Sequence, residues 1–232
     1  MPKVFAMVLA AGQGTRIGDA LPKQYLPVAG KPMMFHSIEA LAAVSRIERL
    51  FVVLAPMDRH WAQHDWSALP EKVEAAFCGG AHRAESVLNT LKHIESRVGP
   101  DDWVLVHDAA RPCIMTELVE QFLDEVGEDP VGGLLAMPLA DTLKGAGEDQ
   151  RVVKTVPRTG LWRAQTPQLF RYAILRKGIE KNPKATDESE AVESLGHSPR
   201  LAEGENSNIK VTFAEDIVMA ELILEQKNRI GL

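Results

Sequence analysis

The chain is poor in cysteine. Its 232 residues include only Cys78 and Cys113, far apart and in no paired spacing, which suggests neither a disulfide framework nor a zinc site. Basic residues are not in excess either: 26 lysines and arginines stand against 32 aspartates and glutamates, a net charge of -6. That balance argues against nucleic acid as a principal partner, so any basic site has to be local. Long apolar runs are missing too. The N-terminal "MPKVFAMVLAAGQG" is apolar over too few residues for a signal peptide or a membrane span, and a reducing cytoplasm is the expected location. Internal repeats and low-complexity segments are absent. So is a G-x-S-x-G elbow, and neither cysteine has a neighbouring base to make it a nucleophile.

What is present is ordinary globular composition, 45% hydrophobic and 25% charged, in a chain long enough for a sizeable core. Apolar runs suited to buried strands recur: "KVFAMVLA", "RLFVVLA", "KVEAAF", "DWVLVH" and "GGLLAMP". Amphipathic stretches lie between them: "MMFHSIEALAAV", "HRAESVLNTLKHIE" and "MTELVEQFLDEV". This alternation predicts an α/β fold, a mostly parallel sheet with helices on both faces, in a single domain over residues 1–232. Ligands of such folds sit at the carboxyl ends of the strands. After Pro138 the pattern changes. Two short alternating runs flank "GAGED", which predicts a β-hairpin too poor in core residues to stand alone, an arm projecting at about 139–160. Helices at "RYAILRKGIEK" and "ESEAVESLG", a strand at "NIKVT" and a last helix from Ala214 complete the expectation.

The first strand runs into "VLAAGQGTRIGDALPKQYLPVAGKP", where Gly12, Gly14 and Gly18 are interleaved with Arg16 and Lys23. The spacing G-x-G-x-x-x-G is one residue too long for the dinucleotide fingerprint, and the P-loop pattern is absent. Glycines alone would fit a structural turn equally well. The two cations beside bare backbone favour phosphate binding. Asp108 ends the run "WVLVHDAARP"; a carboxylate there can hold Mg²⁺ near phosphates or cap the following turn, and Arg111 is equally two-sided. Thr186 and Asp187 in "KATDESEAV" fit a helix start, with Asp187 and Glu190 spaced as a capping pair. His60 and His64 have i, i+4 spacing but no zincin glutamate, and between Trp61 and Trp66 they read as a half-buried surface face. With no nucleophile–base pair, the inventory suits a reaction run by positioning and charge neutralisation, such as phosphoryl or nucleotidyl transfer.

Six segments, in this order and spacing, give the chain a resemblance: "LAAGQGTRIGDALPKQYLPVAGKP", "GGAHRAESV", "VHDAARP", "DTLK", "ATDESEAVE" and "NIKVT". It resembles the 2-C-methyl-D-erythritol 4-phosphate cytidylyltransferases of the non-mevalonate isoprenoid pathway, from about residue 3 to the last helix. The resemblance implies a Rossmann-like nucleotidyltransferase fold, Mg²⁺ dependence, CTP and a polyol phosphate as substrates, and a homodimer interlocked through the arm with shared active sites. It also implies roles. Ala10, Ala11, Gly12 and Gly14 would cradle the CTP phosphates, with Arg16 and Lys23 at the α-phosphate and Lys210 near the reacting phosphates. Gly80, Arg83 and Ser86 would recognise cytidine, and Asp108 would ligate Mg²⁺. Thr186 and Asp187 would face the polyol, while Arg111, Thr142 and Arg158 would bind its phosphate from the partner subunit. Two positions depart from the family pattern: Ala81 and Ser207 stand where many members carry acidic residues. The ribitol-5-phosphate cytidylyltransferases share the specific motifs. A non-catalytic nucleotide sensor is a reading of another class, against which the retention of Arg16, Lys23 and Asp108 together speaks. A dinucleotide-dependent oxidoreductase is disfavoured by the glycine spacing.

Overall fold

The computed structural model describes residues 2–12 and 21–230. In chain order, β1 (Val4–Leu9) precedes two very short strands, β2 (Pro27–Val28) and β3 (Lys31–Pro32), then α1 (Met33–Ala43), β4 (Ile47–Val53) and β5 (Val73–Ala76). Next come α2 (Arg83–His93), β6 (Trp103–Asp108), α3 (Thr116–Val126), β7 (Gly132–Pro138), and the paired β8 (Leu143–Ala146) and β9 (Val152–Val156). The chain closes with β10 (Trp162–Arg171), α4 (Tyr172–Lys181), α5 (Glu188–Glu193), β11 (Arg200–Glu203) and α6 (Glu215–Ile230).

The main sheet has the order β11-β7-β10-β6-β1-β4-β5. Parallel pairing joins β6, β1, β4 and β5, while β10 runs antiparallel between β6 and β7. Successive side chains of a strand point to opposite faces, and the core divides accordingly. Val4, Ala6 and Val8 of β1 pack with Leu50 and Val52 of β4 and with Ile38, Leu41, Leu118 and Phe122 of α1 and α3. Phe5 and Met7 face the other way, with Phe51, Val53, Val104 and Val106, beneath Val87 and Leu91 of α2, Leu175 and Ile179 of α4, and Val192 of α5. The expected α/β sheet with helices on both faces is therefore present.

Strand order reverses at β1: the chain leaves it toward β4 and β5, then crosses back to place β6 on its other side. A crevice opens at such a switch point beyond the carboxyl ends of the strands. Here it is bounded by residues after Leu9 and after Asp108, which lie opposite each other in the register of β1 and β6.

Two expectations need correcting. "NIKVT" is not a strand; residues 208–212 form irregular chain, held where the backbone N–H of Val211 donates to the Ala110 carbonyl, 2.8 Å. Its partner is a loop rather than a strand, so no ladder can propagate. The long strand β10 was not foreseen, because Gln165, Thr166 and Gln168 break its apolar pattern, and all three are buried. The arm is found as expected at its core: β8 and β9 form a separate two-stranded antiparallel sheet, carried on the ends of β7 and β10, where the Leu139 N–H donates to the Leu161 carbonyl.

Candidate active site

The crevice is built by four loops that hold one another. Gln24, buried, donates from Nε2 to the Ala10 carbonyl at 2.6 Å, tying the "PKQY" segment to the end of β1. Lys23, beside it, donates from Nζ to the Val211 carbonyl at 2.7 Å, next to Lys210. Ala11 meets the loop after β5 so closely that a Cβ on Gly79 would lie 2.3 Å from the Ala11 Cβ, so glycine is required there. Ser86, one turn into α2, accepts the Gly80 N–H at 3.0 Å and donates to the His82 carbonyl at 3.1 Å, fixing that loop. Gly12 is exposed, and a Cβ added there would meet nothing within 4 Å among the described residues. Gly14 and Arg16 lie outside the described residues.

At the centre is a cluster of four charges. Asp108 ends β6 and is almost fully buried. Its Oδ1 accepts from Arg83 Nε at 3.0 Å, and its Oδ2 accepts from Lys210 Nζ at 2.7 Å. The far edge of the Arg83 guanidinium grips Glu188, with Nη2 2.9 Å from Oε2 and Nη1 on Oε1. Burial alone would raise the Asp108 carboxyl, but Arg83 and Lys210 together hold it well below the usual carboxylate range. Glu188, with no exposed surface, is pushed up by burial, opposed by Arg83. Lys210 is the accessible member, its side chain 47% exposed.

Around the cluster, a buried polar network holds the backbone in place. The Asp108 N–H donates to Thr166 Oγ1 at 3.1 Å, and that hydroxyl also bonds His107 Nδ1 at 3.1 Å. Burial lowers the His107 pKa to about 4, so the ring is neutral. Asn208, wholly buried two residues before Lys210, donates from Nδ2 to the Thr166 carbonyl at 2.9 Å. Arg111 donates to the carbonyls of Asn208, 2.7 Å, and Ala164, 3.3 Å, and only 9% of it is exposed.

The crevice thus gathers Ala10, Ala11, Gly12, Lys23, Gly80, Arg83, Ser86, Asp108 and Lys210. Arg111, expected with Thr142 and Arg158 at the polyol phosphate, is three positions from Asp108 and braces the Lys210 loop of its own chain through the Asn208 carbonyl. Thr142 and Arg158 are elsewhere, exposed on the arm, with Arg158 donating to the Ala140 carbonyl. Thr186 and Asp187 form the helix cap that their spacing suggested. Asp187 accepts the Glu190 N–H at 2.9 Å, and Glu190 accepts the Thr186 N–H and hydroxyl at 2.7 and 2.8 Å. His60 and His64 pack their rings on Tyr25, centroids 5.3 and 5.5 Å away, as a half-buried surface face. Among the described residues, no group of three His, Cys, Asp or Glu side chains converges. Gln24, Asn208, Thr166 and Glu188 were missed by sequence reasoning. For Glu188 a signal existed: it shares a helical face with Ala191 and Val192, both buried.

Fold and crevice define an α/β nucleotidyltransferase. Residues 4–226 match the family model for 2-C-methyl-D-erythritol 4-phosphate cytidylyltransferase, and the chain belongs to that family. It is 50% identical over 227 residues to the 2-C-methyl-D-erythritol 4-phosphate cytidylyltransferase of Dechloromonas aromatica (strain RCB), covering 98% of this chain and all of that one. A crystal structure of a 4-diphosphocytidyl-2C-methyl-D-erythritol synthase superposes with a TM-score of 0.86 at 33% identity, covering 97% of this chain and 99% of the other. The Francisella tularensis 2-C-methyl-D-erythritol 4-phosphate cytidylyltransferase superposes with a TM-score of 0.81 at 31% identity, over 95% and 99% of the two chains.

Proposed function

We propose that the crevice transfers CMP from CTP to 2-C-methyl-D-erythritol 4-phosphate, giving 4-diphosphocytidyl-2-C-methyl-D-erythritol and pyrophosphate. The observation that carries the reading is Asp108 at the end of β6, paired with Arg83 and Lys210, with Lys23 anchored on the neighbouring carbonyl. A phosphate oxygen of the polyol attacks the α-phosphorus in line; a P–O bond forms as the bond to the β-phosphate bridge breaks, and pyrophosphate leaves. A phosphate monoester is nucleophilic at neutral pH, so the reaction needs no base, in keeping with a crevice built of cations.

In this reading the loop of Ala10, Ala11, Gly12 and Gly14 cradles the triphosphate, and Arg16, Lys23 and Lys210 offset charge on the non-bridging and leaving oxygens. Gly80 and Ser86, held together as described, present the loop that reads cytidine, with Arg83 behind it. Thr186 and Asp187 face the polyol from the cap of α5. Asp108 fits a Mg²⁺ ion, because that cation is held by one or two carboxylates plus phosphates and water, and the partner of its Oδ2 is a lysine exposed enough to be displaced. When bound, Mg²⁺ supplies positive charge to the phosphate oxygens.

The arm supports a homodimer with shared sites. It exposes Val152 and Val153, with Leu161 and Trp162 exposed at its base, apolar surface that its own two strands cannot cover. It also carries Thr142 and Arg158, which would reach the polyol phosphate of the neighbouring subunit. Neither nucleic acid nor membrane enters this reading. Among the described residues no helix is long and apolar enough to cross a membrane, and a cytoplasmic setting fits the charge and the two free cysteines. The test is pyrophosphate release from CTP and Mg²⁺ with each of two acceptors. Turnover with 2-C-methyl-D-erythritol 4-phosphate is expected. Turnover with ribitol 5-phosphate alone would reassign the acceptor, and CTP binding with no turnover on either would make this a nucleotide sensor.

A further inference from the structure

We infer that Glu188 is a positioning residue for the reaction, acting through Arg83 to set which oxygen of Asp108 is offered to ligands. The inference rests on the proposed role of Asp108 as a Mg²⁺ ligand. Three elements meet at the Arg83 guanidinium: α2 supplies the arginine, α5 supplies Glu188, and β6 supplies Asp108. A guanidinium is a rigid planar fork, so fixing one edge fixes the direction of the other. Glu188 takes the Nη1–Nη2 edge with both carboxylate oxygens, which turns the Nε–Nη2 edge onto Asp108, each nitrogen 3.0 Å from the same oxygen, Oδ1. Oδ1 is thereby committed to protein. Oδ2 is left facing Lys210, the exposed member of the cluster and the one able to exchange places with an incoming cation.

Charge counts in the same direction. Arg83 and Lys210 against Asp108 alone would leave the cluster with an excess positive charge, which opposes a divalent cation; Glu188 brings it to neutrality. An unpaired carboxylate so deeply buried would be strongly unfavourable, and its persistence there depends on the arginine. Glu188 acts through its bonds to Arg83. Its next neighbours in sequence, Asp187 and Thr186, cap α5, and the Arg83–Glu188 pair fixes α5 against α2.

The test is the affinity for Mn²⁺, a spectroscopic stand-in for Mg²⁺, measured by electron paramagnetic resonance on folded protein saturated with CTP. Glu188→Gln preserves shape and removes charge. It is expected to weaken Mn²⁺ at least tenfold and to lower kcat comparably, with KM for CTP changed less than threefold. In an Arg83→Ala background the same substitution should change Mn²⁺ affinity less than twofold, because the route to Asp108 is already cut. Mn²⁺ affinity within twofold of wild type in folded Glu188→Gln would overturn the inference, as would an undiminished effect in the Arg83→Ala background. If Glu188→Gln does not fold, Glu188→Asp, one methylene shorter, is measured instead; a severalfold loss supports the inference and an unchanged affinity overturns it. Asp108→Asn separates the two levels. If it leaves Mn²⁺ affinity unaltered, the metal role of Asp108 fails and the inference with it; if it abolishes binding while Glu188→Gln does not, only the inference fails.

Discussion

The charged crevice and the β-arm solve opposite problems with the same chain. In the crevice, Asp108 and Glu188 are buried and every oxygen of both carboxylates has a cation from the same chain. On the arm, Val152 and Val153 are 63% and 72% exposed, and the hairpin packs on nothing of its own chain comparable to the core. A site that must hold charge out of water needs a rigid, internally paired frame. A segment whose apolar residues stay in water leaves a surface that the proposed homodimer would cover. The proposed enzyme needs both: one supplies the pre-organised cations, the other carries Thr142 and Arg158 to a second copy.

The sharpest way to break this division is at the crevice. Lys23→Ala removes a cation that the proposed mechanism sets against developing charge, and kcat should fall on the order of a hundredfold or more, with a much smaller change in CTP binding by calorimetry. Near-normal turnover would return the loop after β1 to a structural role. Asp108→Asn should likewise slow turnover in a folded protein and raise the Mg²⁺ concentration needed for half-maximal rate. Unfolding, with unaltered metal dependence in the folded fraction, would leave Asp108 as a strand-end cap.

Acid should loosen the crevice frame. Burial lowers the His107 pKa from its ordinary 6.5 to about 4, so between those values the unfolded chain binds a proton that the folded chain does not. Stability should therefore be full above about pH 6.5 and decline as pH falls toward about 4, by roughly 3 kcal/mol in all. Glu188, shifted upward by burial, works in the opposite sense over part of that range. The difference between wild type and His107→Gln in urea titrations at several pH values isolates the histidine. Parallel curves for the two proteins would contradict a neutral buried ring.

Smallest in its effect on the folded chain should be Val152→Lys with Val153→Lys. Both side chains are in water in the single chain, so the sheet's own unfolding should shift by no more than ~0.5 kcal/mol. Dimer dissociation, followed by analytical ultracentrifugation, should become at least tenfold easier. A cost to the fold with no change in assembly would place these valines inside a subunit's own packing.

The contrast also shows what a single sequence exposes. The parallel core was legible because the strand runs are apolar and short, and the intervening helices keep one apolar face, as in "MTELVEQFLDEV", where Leu118, Val119, Phe122 and Leu123 are all buried. The arm was legible through its lack of core residues. Strand β10 was not, since Gln165, Thr166 and Gln168 are buried for the hydrogen bonds they make, to Glu205, to His107 and to Asp187 among others, and a polar residue in a strand reads from sequence as solvent-facing. The local pattern put Lys210 on a strand, whereas it lies on a loop fixed through Asn208, Arg111 and Lys23, the last two from distant parts of the chain. The burial of Glu188 was legible from its helical face, but its partner, 105 residues away, was not.

The most direct test of the division between crevice and arm is complementation between them. Each proposed site takes Lys23 from one subunit and Arg158 from the other. Lys23→Ala and Arg158→Ala homodimers should both be nearly inactive, since every site lacks one cation. Co-expressed in equal amounts, the two variants pair at random and about half the dimers are mixed, each with one doubly defective site and one intact site. Activity should then recover to about a quarter of wild type. In a preparation shown to contain mixed dimers, no recovery would mean that Lys23 and Arg158 serve one site from the same chain, and the sharing of sites through the arm would be wrong.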